Sequence, residues 1–148
     1  MRDLDMTILD ASADSVTGNQ LRAAASHFPT GVAIVSSLDN NNEPVGCTIS
    51  SFLSASLEPP IVAVSLGQTT STVSHLIAAG KFGISVLSSS QGGIAAVFAD
   101  REVDHYERFA GVRWRPGRSG VPLLDNGLSS LECVVHDVIP TGDHFLIL

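Results

Sequence analysis

Gly46-Cys47-Thr48-Ile49-Ser50-Ser51-Phe52-Leu53-Ser54-Ala55-Ser56-Leu57-Glu58-Pro59-Pro60 decides how this chain is read. Residues 45–51 are expected to form a strand that runs into a bend lined with small hydroxyl side chains. Two prolines then stop it, because they fix φ and donate no backbone hydrogen bond. Thr48, Ser50, Ser51, Ser54 and Ser56 add donors and acceptors without charge, and small residues let a ligand approach the main chain. A flat ligand with a polar edge suits such a surface. The same composition is also ordinary turn and strand chemistry, so residue types alone leave both readings open.

Working outward, Asp39-Asn40-Asn41-Asn42-Glu43-Pro44 is turn chemistry, which makes residues 31–37 and 45–51 the two strands of a hairpin. Upstream, Thr17 with Gln20 three residues on has the form of a capping box. Leu21, Ala24, Ala25 and Phe28 follow at helical spacing, and Pro29 ends the helix. Residues 1–16 carry no period and are expected to be a loose tail, leaving one domain over 17–148.

Downstream, residues 61–66 read as a strand. Ser71 or Thr72 caps a helix that ends at Gly80, and its free N–H groups suit either plain capping or a phosphate. Residues 81–87 form a further strand, and Ser88-Ser89-Ser90-Gln91 opens a helix running to Phe98. Residues 100–119 hold the only Tyr, the only Trp and five of the seven arginines, which fits a solvated surface segment or a lid. Residues 128–139 read as one long strand and 145–148 as another. Short strands joined by turns with few helices point to a mainly β antiparallel barrel rather than a doubly wound sheet.

The 148 residues carry eight basic and fifteen acidic side chains, a net charge of −7, and a single lysine, Lys81. That balance lacks the basic footprint of nucleic-acid or anionic-membrane binding. The uncharged run 59–80 is interrupted by Pro, Gly, Gln, Ser, Thr and His, so it falls short of the about 20 apolar residues of a bilayer span. The N-terminus has no apolar signal core, which implies a cytoplasmic protein. Cys47 and Cys133 lack metal or redox spacing and read as buried thiols. The five histidines lack paired-ligand spacing, and the chain has no dinucleotide fingerprint, phosphate loop, HExxH or GxSxG motif.

His27-Phe28-Pro29-Thr30-Gly31-Val32, Pro44-Val45-Gly46-Cys47-Thr48-Ile49-Ser50-Ser51-Phe52 and Ser54-Ala55-Ser56-Leu57-Glu58-Pro59-Pro60 occur in this order. They are followed by Ala79-Gly80-Lys81-Phe82-Gly83-Ile84-Ser85-Val86-Leu87, Gly120-Val121-Pro122-Leu123-Leu124, Leu131-Glu132-Cys133 and Gly142-Asp143-His144. The set resembles the flavin reductase-like family with its FMN-binding split barrel, over about residues 21–148.

The resemblance implies a split antiparallel β-barrel with helical insertions, working as a homodimer. It implies hydride transfer from NADH or NADPH to FMN or FAD, with reduced flavin passed to a separate monooxygenase. Carried over by position, Pro29, Thr30, Gly31, Val32, Cys47, Thr48, Ser50, Ser51, Ser54, Ala55 and Ser56 would surround the flavin ring and ribityl chain. Ser71, Thr72, Phe82 and Ser85 would lie towards the phosphate end. His144 would face the nicotinamide as the catalytic-site residue, or alternatively bond a loop carbonyl. Flavin carries the redox chemistry itself, so such a site needs orientation rather than a protein nucleophile.

Three features depart from the family pattern. Ser85 stands where Asn is common, Ala33 where Thr or Ser is usual, and the usual C-terminal strand and tail are expected to be missing, which would leave a barrel edge open. These departures keep two other expectations in play: a flavin-binding module without turnover, and an interaction protein built on the same barrel.

Overall fold

The computed structural model describes residues 16–148, and the expected N-terminal tail lies almost wholly outside them. The helix α1 (Gly18–Ala25) starts at the expected capping box, with Thr17 Oγ1 accepting from Gln20 N–H and Gln20 Oε1 accepting from Thr17 N–H. No residue of α1 is buried, so its apolar stripe is left uncovered.

β1 (Ala33–Leu38) and β2 (Pro44–Ile49) form the expected hairpin. Its turn is closed by Asp39 Oδ1, which accepts from the N–H groups of Asn41 and Glu43, both at 2.8 Å. β3 (Leu53–Leu57) follows, then β4 (Pro60–Gly67), α2 (Ser71–Ala79) and β5 (Lys81–Val86). Thr70 is the N-cap of α2, in place of Ser71 or Thr72, and Gly80 at φ 65° ends the helix as expected. α3 (Gly92–Ala99) is preceded by a 3-10 turn capped by Ser88 and Gln91. The remaining strands are β6 (Trp114–Pro116), β7 (Pro122–Leu124), β8 (Ser129–Val134), β9 (Val138–Thr141) and β10 (His144–Ile147).

The strands make two antiparallel four-stranded sheets, ordered β2-β1-β5-β8 and β3-β4-β10-β9, and a short β6-β7 ribbon. The sheets do not close into one hydrogen-bonded cylinder, and the barrel is therefore split. β1 is buried on both faces because it divides two cores. Ala33 and Val35 point into a cluster with Val64, Leu76, Phe82 and Ile147, while Ile34 packs with Phe98, Phe109 and Leu124.

Two expectations about strands are corrected. The bend after β2 spans only residues 50–52, and 53–57 is a strand paired with β4, with Ala55 the extra residue of a bulge. Pairing overrides the weak strand preference of a Ser/Ala run. The expected long strand 128–139 is instead β8 and β9, one in each sheet. The chain crosses between them at residues 135–137, where Val135 N–H donates to Gly80 O and His136 N–H to Leu148 O.

The arginine-rich excursion is partly core. Arg108 is 7% exposed, donating from Nη1 to Gly46 O at 3.0 Å and from Nη2 to Asp100 O at 2.7 Å. Phe109 stacks edge-on to both Phe98 and Trp114. β7 lies tight on the first sheet, where a Cβ on Gly83 would stand 2.8 Å from the Leu123 side chain. Its backbone is satisfied from below, since Ser36 Oγ donates to Pro122 O and Ser85 Oγ accepts from Leu124 N–H.

Candidate functional site

The site grows from the corner between β2 and β3. Ile49 is buried, the ladder ends there, and the chain turns at Ser50 and Ser51 towards the second sheet. Ser51 Oγ donates to Ser65 O at 2.9 Å and accepts from Ser65 N–H at 3.0 Å, which fastens the corner to β4. Ser50 stays exposed.

Register brings the next residues to the same end of the first sheet. Ala33 pairs with both Ile49 and Val86, so residues 29–32 enter beside Ser50. They are exposed, Val32 O accepts from Leu87 N–H at 3.0 Å, and a Cβ on Gly31 would meet nothing within 4 Å. A ligand can therefore approach the main chain there.

β4 connects this corner to a second group. Gly67, two residues beyond Ser65, pairs with His144 of β10. His144 Nδ1–H donates to Asp143 Oδ1 at 2.7 Å, and that bond holds the Asp143 carboxyl below its usual range. Ser71 is exposed at the first turn of α2, just past the Gly67-to-Thr70 turn.

Other residues singled out in the sequence are not at the surface. Cys47, Thr72, Phe82 and Ser85 are buried. Thr48 Oγ1 donates to Ala95 O of α3 at 2.7 Å, and the Ser85 hydroxyl is engaged with β7. Burial pushes the Cys47 and Cys133 thiols up to about 11, which leaves both protonated and poorly nucleophilic at neutral pH.

Ser54 and Ser56 belong elsewhere again. With Phe82, Leu131, Cys133 and Val135 they line a cavity of about 740 Å³ between β3, β4 and β8. Its walls are mostly apolar, and they include none of residues 29–32, Thr48, Ser50, Ser51, Ser71 or His144. Sequence reasoning also missed Gln68 and Ser65, which join the two groups. Their signal is indistinguishable from turn and strand composition.

The two four-stranded sheets and the corner where residues 29–32 meet Ser50 define a split-barrel protein. The fold is shared with a solved Haemophilus somnus flavin reductase structure at a TM-score of 0.84 and 22% identity, over 89% of this chain and 83% of that one. Residues 25–148 match the flavin reductase like domain, and the chain belongs to that family. It is 37% identical over 131 residues to the NADH-dependent FAD reductase of Streptomyces globisporus, covering 87% of this chain and 71% of the relative. The solved NADH:FAD oxidoreductase from that organism superimposes with a TM-score of 0.79 at 37% identity, over 91% of this chain and 82% of that one. The chain spans only 40% and 58% of the length of two Rhizobium meliloti relatives, a flavin reductase homologue (40% identical, 86% of this chain) and a stachydrine N-demethylase reductase subunit (37% identical, 92% of this chain). No helix among the described residues is long and apolar enough to cross a membrane.

Proposed function

We propose that this chain is a cytoplasmic NAD(P)H-dependent flavin reductase, taking hydride from NADH or NADPH onto FMN or FAD and supplying reduced flavin to a separate monooxygenase. The observation that carries this is the convergence of separate sequence motifs on one corner. Residues 29–32 and 48–51 meet there, and Ser65 and Gly67 of β4 link them to His144. Flavin, when bound, supplies the redox chemistry.

The chain's own part is binding and orientation. Residues 29–32 with Thr48, Ser50 and Ser51 hold the ring, and the open space over Gly31 fits a flat group against the backbone. Ser54 and Ser56 line the separate cavity between β3, β4 and β8 and are no part of this wall. Ser71 and the α2 start take the phosphate, with Thr72 behind it. His144 faces the nicotinamide. Cys47 and Ser85 are buried, and Phe82 lines that separate cavity, so none of the three offers the ligand a surface at the corner.

Self-association as a homodimer belongs to this reading. This reading places the exposed apolar side chains Leu57, Leu128 and Val134 at the interface between copies.

The test is NADH and NADPH oxidation by the purified chain with FMN and FAD in turn. Flavin-dependent oxidation well above the protein-free rate supports the reductase. Flavin binding without turnover assigns a binding module instead, and no flavin binding at micromolar concentration leaves an interaction protein.

A further inference from the structure

Three successive backbone carbonyls at the β9–β10 turn accept from a single residue. Gln68, in the loop between β4 and α2, donates its main-chain N–H to Asp143 O at 3.0 Å. Its side-chain Nε2 donates to Gly142 O at 3.1 Å and to His144 O at 3.4 Å. Residues 141–144 are exposed, so hydrogen bonds rather than packing hold this turn. Thr141 Oγ1 adds a bond at 3.3 Å to the His144 carbonyl.

The same turn sets where the His144 ring stands. The ring is held on one side by Asp143 at its Nδ1, which leaves Nε2 over Gly67, 3.9 Å from where a Cβ would be. Gln68 has no hydrogen bond to the ring. It acts on the backbone that carries both members of the Asp143–His144 pair.

We propose that Gln68 is a positioning residue for His144, fixing the imidazole over Gly67 by tying down the Gly142-Asp143-His144 turn. This rests on the reading that His144 faces the nicotinamide. Gln68 sets how well the nicotinamide is held, while the residue itself touches neither flavin nor donor.

The experiment compares Gln68→Ala and the equally long Gln68→Glu, which loses the donors, with the unaltered full chain. Each is assayed with NADH at saturating flavin, alone and combined with His144→Ala. The expected result is a KM for NADH raised about threefold to tenfold, as for loss of one or two hydrogen bonds, with kcat and flavin affinity within about twofold. In the His144→Ala background the same change adds almost nothing, since both act through one ring. NMR of the His144 ring at fixed pH provides a readout independent of turnover, and its chemical shifts are expected to move in both Gln68 variants. KM effects that multiply, or an imidazole signal left in place, overturn the proposal. An unaltered chain that turns over no NADH defeats the reductase reading alone, and the imidazole signal then decides Gln68.

Discussion

The Ser51 hydroxyl stands in for a missing strand beside Ser65. β3 pairs with β4 only as far as Ala63, and the Ser51 side chain then takes up both the Ser65 N–H and its carbonyl. Sheet continuity across the corner thus depends on one side chain.

Ser51→Ala is expected to leave both Ser65 groups without that partner and to cost about 1–2 kcal/mol of stability. Flavin affinity is expected to fall as well, because the Ser50 bend loses its anchor. Thermal melting together with flavin fluorescence titration measures both effects. A variant that melts and binds like the unaltered chain would show that the anchor is dispensable.

His144→Ala is expected to raise the KM for the nicotinamide about tenfold, the equivalent of one hydrogen bond to a charged or polar group. Flavin dissociation is expected to stay within about twofold. Equal changes in both constants, read from steady-state kinetics and flavin titration, would remove His144 from the nicotinamide side.

Arg108→Ala is expected to be among the more damaging single changes outside the site. It strands Gly46 O and Asp100 O and opens the space under the 100–112 excursion. The expected loss is about 2–4 kcal/mol in urea unfolding, with Arg108→Lys recovering at most part of it because lysine has no fork to reach both carbonyls. A loss under about 0.5 kcal/mol, as at an ordinary surface position, would mean that the excursion is not core.

Acid sensitivity is expected at Glu132. Its carboxylate accepts from Ser119 Oγ, Ser119 N–H and Arg118 N–H, which holds its pKa down from 4.5 to about 2. A depressed folded pKa means stabilisation that is present above 4.5 and lost as pH falls from 4.5 to about 2. Glu132→Gln is therefore expected to melt lower than the unaltered chain at pH 7, with the gap narrowing over that window. A gap that stays constant with pH would show that the carboxylate charge does not contribute.

Much of the local structure was legible in the residues. The Thr17/Gln20 box, the Asp39 turn and the Gly80 stop each work through contacts within a few residues, so pattern and propensity suffice. The split-barrel family was legible in the order of its motifs, a signal that no single segment carries. Ser50, Ser51 and residues 29–32 could be named as site candidates from that order.

The sequence by itself thus determined the helices, the first hairpin, the mainly β class and the family. Tertiary structure alone decided which hydroxyls remain free. Ser85, Thr48 and Ser51 look alike in sequence, yet β7, α3 and β4 claim all three, and Ser50 is left exposed. The break between β8 and β9, the burial of Arg108 and the reach of Gln68 to the His144 turn were likewise decided there. Each depends on partners 60 or more residues away, or on which sheet a strand joins. Hydrogen-bond satisfaction across such separations is a property of the packed chain, and local residue pattern does not encode it.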